Sequence, residues 1–160
     1  MLSRILWFTA LTLTALGLAP GAAHVLELPV KLGYPPAFYA DVTSTLYAWF
    51  GFAGGAVQVG AIIAVGLLAV FLRRARIAGL LLAADGALVA SLLIWGALVA
   101  PVNAGWASSG IPGSPEFVAA YEALRSRWEF GHVSAFVAWA VGWIGLAGAA
   151  ASASSGEQTA

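Results

Sequence analysis

The chain has two histidines, and each has a carboxylate three residues away. His24 precedes Glu27, and Glu129 precedes His132. Residues three apart share a helix face, so each pair offers a nitrogen and an oxygen donor side by side. Such groups suit proton transfer, and equally the binding of zinc, iron, manganese or copper. Di-iron helical proteins use Glu-x-x-His pairs but add a glutamate from each of two further helices. The middle of this chain supplies no such glutamates. The set His24, Glu27, Glu129 and His132 therefore admits a single copper, iron or zinc ion, or no metal at all. Cysteine is absent, which removes disulfides, thiolate ligands and thiol nucleophiles. The competing reading is ordinary pairing at helix ends, Glu129 with Arg125 and Glu27 with Lys31, each four residues apart.

These residues need elements to hold them. Of the 160 residues, 61% are hydrophobic and 9% charged, against about 25% charged in a typical soluble domain. The apolar residues fall into four runs, about 5–28, 46–72, 77–102 and 132–151. A helix crosses the hydrocarbon core with about 20 apolar residues, and each run is long enough. None alternates with period two, and backbone groups in lipid must bond internally, so the runs read as helices. The fold expected is all-α, an integral-membrane antiparallel four-helix bundle in one domain over residues 1–151. A polar tail, 152–160, reads as disordered. Seven basic and seven acidic residues balance, so no overall charge points to nucleic acid.

Arg73, Arg74 and Arg76 fill the loop between the second and third runs, and Arg4 precedes the first. The positive-inside rule puts both termini in the cytoplasm, with the inner membrane of a bacterium as the expected location. Arg4, an apolar stretch and Pro20-Gly21-Ala22-Ala23 also resemble a secretory signal. Cleavage after Ala23 would give His24 a free amine, a copper-binding pair. On the outer side, Pro29 is expected to stop the first helix. Ser114-Pro115-Glu116 reads as a helix start: a cap, proline at the first position, an acid in the first turn. Phe117, Ala120, Tyr121, Leu124 and Trp128 follow at helical spacing, which reads as an amphipathic surface helix over about 115–129 leading into the last span.

This topology brings His24, Glu27, Glu129 and His132 to one membrane depth, joined by Asn103 at the end of the third run. Within the spans, Gln58 and Asp85 are polar. An ionisable residue in a span is a functional candidate by default, set against a protonated Asp85 or an Asp85–Gln58 bond. Gly51 and Gly55, and Gly142, Gly145 and Gly148, read as close helix contacts.

Four segments carry a family resemblance: His24-Val-Leu-Glu-Leu-Pro-Val-Lys31, Tyr47-Ala-Trp49, Pro101-Val-Asn103, and Leu124-Arg-Ser-Arg-Trp-Glu-Phe-Gly-His132. The chain resembles the bacterial branch of the anthrone-oxygenase-like family, small four-helix membrane proteins. The resemblance spans the first to the fourth helix. It implies that the first helix is retained, and that Asn103, Trp128 and His132 match the family's asparagine and Trp-x-x-x-His. Fungal members are associated with oxidising anthrones to anthraquinones. The family often carries arginine shortly after the last histidine, where this chain has Ala135-Phe136, a departure that puts a shared substrate in doubt.

Three functions follow as expectations. The first is an oxygenase-like enzyme taking a lipophilic aromatic or quinol-like substrate from the membrane, with His24, Glu27, Asn103, Glu129 and His132 as the site and Trp128 as an apolar wall. The second is a non-catalytic membrane subunit that packs against a partner or its own copy. The third is a small carrier, disfavoured by the lack of internal repeats.

Overall fold

The computed structural model describes residues 2–47 and 49–157. It is all-helical, with no strand among the described residues. Helix α1 is Leu2–Lys31 and α2 is Pro36–Leu46. A π-helical turn, Phe50–Gly54, leads into α3, Gly55–Phe71. Helix α4, Ala78–Ile94, continues through a second π turn, Trp95–Val99, into α5, Ala100–Ala107. Helix α6 is Pro115–Glu157.

Four stretches are long and apolar enough to cross a membrane: Leu2–Lys31, Phe50–Phe71, Ala78–Ala107 and Pro115–Ala153. Their outward faces are apolar, with Phe8, Ile63, Leu93 and Ile144 all more than half exposed. A water-soluble monomer rarely shows so much contiguous apolar surface. Helix α1 packs on α3 and α6, and α4 packs on α3 and α6, which closes a ring of four neighbours. Arg73, Arg74 and Arg76 are exposed at one end; the two histidines lie toward the other.

Three expectations are corrected. Pro29 does not stop α1. Proline removes one bond, to the carbonyl four residues back, and the helix closes two residues later at Lys31. The tail is helical to Glu157, and residues 158–160 lie outside those described. Residues 115–129 do not form a separate helix, because α6 runs unbroken from Pro115 to Glu157. Its buried positions include Tyr121, Arg125, Trp128, Ala135, Trp139, Gly142, Leu146 and Ala149, a seam of alternating three- and four-residue steps once His132 is included. One heptad-like seam runs along α6 from Tyr121 to Ala149. Gly131 is no hinge: a Cβ there would sit 2.7 Å from Val99 and 2.9 Å from Leu98, so the glycine admits the second π turn. Ser114 caps α6 as expected, its hydroxyl accepting the Phe117 N–H at 3.2 Å.

Helix α1 has a matching seam. Ala10, Gly17, His24 and Lys31 are buried at seven-residue intervals. Small residues in its middle let α6 approach: a Cβ on Gly17 would lie 2.4 Å from the Trp139 ring, and one on Gly21 2.8 Å from Phe136. Trp139 Nε1 donates to the Thr14 carbonyl at 2.9 Å. On the other side of α6, Gly142 admits Leu88 and the Ala84 carbonyl of α4, and Ser91 donates to the Ala135 carbonyl at 2.7 Å.

Two buried clusters result. One, toward the arginine end, centres on Val65, Leu68, Leu81, Leu88, Trp139 and Leu146. The other centres on Tyr39, Tyr47, Val102, Trp106, Tyr121 and Trp128. The second π turn sits just before Pro101. Proline has no N–H, so the Ala97 carbonyl loses its usual helical donor. Arg127 of α6 supplies one, its Nη2 donating to that carbonyl at 2.9 Å.

Candidate functional site

The α1 and α6 seams bring the two imidazoles together. The ring centroids of His24 and His132 are 4.0 Å apart, at 45°. Trp128 packs against both, at 4.9 Å from His24 and 4.1 Å from His132. Tyr47 stands 4.6 Å from His24, and Phe50 stands 5.9 Å away.

The two carboxylates do not join them. Glu27 accepts the Tyr47 hydroxyl, and so meets the histidines only through the Tyr47 ring. Glu129 accepts Lys31 Nζ at 3.2 Å and the Tyr39 hydroxyl at 3.0 Å. Lys31 is 1% exposed. Its ammonium also lies 3.5 Å from His24 Nδ1, 5.0 Å from the Tyr47 ring centre and 5.2 Å from that of Trp128. An ammonium therefore occupies the place among these groups that a metal cation would need. Among the described residues, no three His, Asp or Glu side chains are grouped to hold a metal ion. The expected metal set of His24, Glu27, Glu129 and His132 is not assembled.

The helix-end pairs are also exchanged. Lys31 pairs with Glu129 rather than Glu27. Arg125 reaches Glu122 at 3.4 Å and stacks over the Tyr39 ring at 4.1 Å. Its guanidinium also donates to the Lys31 carbonyl, and to the Tyr34 carbonyl at 3.2 Å. These carbonyls close the end of α1, where a cation is favoured. Burial, and then the neighbouring Glu129, hold the Tyr39 phenol above the ordinary tyrosine range. Burial and the bond to Glu27 do the same for Tyr47.

Asn103 accepts Trp128 Nε1 at 2.8 Å and so orients the indole. His132 Nδ1 lies 3.0 Å from the Trp128 carbonyl. A carbonyl only accepts, so Nδ1 carries the proton and Nε2 is left with the lone pair.

Both histidines line two cavities. The first, about 110 Å³, lies among all four long helices. Its wall includes Pro20, Phe50, Gly51, Gly55, Gln58, Trp95, Phe136 and Trp139. The second, about 380 Å³, is lined by Ser44, Tyr47, Asn103, Trp106, Tyr121 and Trp128. Phe50 and Trp95 border both cavities, and each opens a π turn. Such turns are rare and recur at functional sites.

Gly51 and Gly55 are not helix contacts. A Cβ at either would meet nothing within 4 Å; they form the open side of the first cavity. Gln58 faces that cavity too, whereas Asp85 lies apart, with Oδ2 3.3 Å from a Cβ built on Gly66 and a buried Oδ1 that has no hydrogen-bond partner. Of the two readings that set Asp85 aside as a functional candidate, the one that bonds it to Gln58 does not hold.

Sequence reasoning missed Lys31, Tyr39 and Tyr47. For Lys31 a signal existed: it stands one heptad after His24, on the same seam. No protein-family model matches this chain, and comparison with curated proteins and with solved structures gives no match.

Proposed function

We propose that the four helices cross a membrane as an antiparallel bundle with both ends cytoplasmic, and that the chain is an enzyme acting on a lipophilic aromatic or quinol-like substrate. The observation that carries this reading is the His24–His132 contact on the wall of a cavity built mainly from aromatic, aliphatic and glycine residues, with Gln58 and Ser91 as its other polar groups. Pockets of this make-up, with few convergent polar groups, take small apolar ligands. The open glycine wall at Gly51 and Gly55 supports entry from lipid.

In this reading an imidazole removes a proton from the bound substrate, and His132 Nε2 is the available lone pair. Trp95 and Phe136, in the wall of the first cavity, hold the ring system. Glu27 and Glu129 act through Tyr47 and Lys31. The family resemblance extends the step to oxidation by dioxygen. A methylene becomes a carbonyl, two hydrogens leave, one oxygen atom is gained and the other departs as water. The carbanion left by proton removal is the electron-rich form that reacts with oxygen.

The test uses the chain in lipid nanodiscs with anthrone. Under air, anthraquinone formation is followed; under nitrogen in D₂O, deuterium entry into the methylene is followed. Both are expected to exceed those of empty discs and to fall in His132→Ala. Unchanged rates in His132→Ala and Glu27→Ala would refute the enzymatic reading.

One observation favours a second reading, a partner-binding subunit. Gly79, Ala83 and Gly86 are exposed along α4, with nothing within 4 Å of a Cβ on either of the two glycines. Small outward stripes let helices associate in lipid. If this reading holds, Gly86→Leu shifts the particle mass in mild detergent.

A further inference from the structure

The two imidazoles are in contact, yet their surroundings differ. His24 Nδ1 faces Lys31 Nζ at 3.5 Å, at the long limit of a hydrogen bond. An ammonium has three donors and no acceptor, so His24 must present a lone pair at Nδ1. In the neutral ring the proton then sits on Nε2. His132 is fixed the opposite way, because its Nδ1 meets the Trp128 carbonyl at 3.0 Å. Its Nε2 bears the lone pair. Both Nδ1 atoms are engaged with protein groups, which leaves the Nε2 edges for the cavities that both rings line.

We propose that Lys31 is a positioning residue that makes the pair unequal, with His24 presenting a hydrogen-bond donor and His132 a proton acceptor. This rests on the functional reading above and narrows its substrate. The ligand must offer an acceptor oxygen and, nearby, an acidic hydrogen. A lipophilic aryl ketone with hydrogens activated by its carbonyl fits. His132 Nε2 takes the proton as the C–H bond breaks. The electron pair moves into the ring system and onto the carbonyl oxygen, giving an enolate, and His24 Nε2–H donates to that oxygen. Proton removal needs no oxidant, and returning the proton to carbon or oxygen restores the balance.

Lys31 is itself held. Glu129 accepts it at 3.2 Å, Tyr39 donates to the other side of that carboxylate at 3.0 Å, and both partners are buried. The ammonium is therefore fixed opposite His24 by a network rooted in α2 and α6. A lysine serves here because its charge is compact and carried on a flexible stem.

The experiment is long-range ¹H–¹⁵N correlation on the full chain in nanodiscs with ¹⁵N-histidine, assigned with His24→Gln and His132→Gln. The expected result is two opposite neutral tautomers, Nε2–H for His24 and Nδ1–H for His132. In Lys31→Met/Glu129→Gln, which leaves no buried unpaired charge, His24 is expected to move to a mixture of tautomers while His132 keeps Nδ1–H. Matching tautomers in the wild type, or a His24 signal unmoved in the double variant, would overturn the proposal. Opposite tautomers in a protein that neither binds nor exchanges an aryl ketone would instead defeat the functional reading and leave the Lys31 assignment standing.

Discussion

The Lys31 ammonium lies 3.2 Å from the Glu129 carboxylate, and both side chains are 5% exposed or less. The pair joins the last turn of α1 to the middle of α6 and sets the position of His24 beside His132. Removing one partner strands the other charge in a dry site, which costs about 3–5 kcal/mol in comparable buried pairs. Lys31→Met alone is therefore expected to lower the melting temperature sharply in detergent. The double variant Lys31→Met/Glu129→Gln is expected to recover much of that loss. Equal melting of the single and double variants would mean that the pair is not coupled.

The glycines divide into two classes with opposite expectations. Gly142→Ala would place a Cβ 2.6 Å from Leu88 and 3.0 Å from the Ala84 carbonyl. Overpacking of this kind costs about 1–3 kcal/mol, so thermal stability is expected to fall. A Cβ at Gly51 or Gly55 meets nothing within 4 Å, so Gly51→Leu and Gly55→Leu are expected to leave stability unchanged while obstructing the first cavity. Ligand-dependent quenching of tryptophan fluorescence, with Trp95 and Trp139 in the cavity wall, would report the loss of binding.

Arg127 and Pro101 form a testable couple. Arg127→Ala leaves the Ala97 carbonyl without the donor that the proline took away, and a lost hydrogen bond costs about 1 kcal/mol. Pro101→Ala restores a backbone N–H. In that background Arg127→Ala is expected to have a much smaller effect on unfolding. Equal effects in both backgrounds would show that the Arg127 bond does not compensate for the proline.

The four long apolar helices were legible because composition and run length alone demand them. The approach of His24 to His132 was readable only as a shared depth, since helix order round the ring is set by packing that local spacing does not reveal. Gly17 and Gly21 receive Trp139 and Phe136 of α6, and that lock brings α1 against α6. The partners of the carboxylates were not legible, because i, i+3 spacing puts each on its histidine's helix face without fixing what it bonds. Lys31 and Tyr47 instead intercept them. The apolar stripe from Phe117 to Trp128 reads equally as a surface helix or as one face of a longer helix. In the fold Arg125 and Glu129 are buried against the end of α1 and against α2, whereas Glu122 and Arg127 stay exposed, so half of the charged stretch belongs to the helix interface.

Alkaline pH is expected to weaken the fold. Tyr39 is held above the usual tyrosine range by burial and Glu129, so the native state keeps a proton that the unfolded chain loses above about pH 10. When the native state binds more protons, stability falls as pH rises. Its contribution is full below about pH 10 and is lost above it. Tyr39→Phe is expected to show a shallower decline in melting temperature between pH 9 and 11 (roughly the window around the free phenol). An identical slope would exclude Tyr39 as its source.

The central claim is that the His24–His132 pair moves a proton on a lipophilic ligand. Its most direct measurement is anaerobic deuterium exchange at the anthrone methylene in D₂O, comparing wild type, His132→Ala and empty nanodiscs. The account predicts exchange well above empty discs in the wild type, and a fall of about 100-fold in the protein-dependent rate of His132→Ala, the scale of a lost general base. Wild-type exchange no faster than empty discs, or a variant as fast as the wild type, would contradict it.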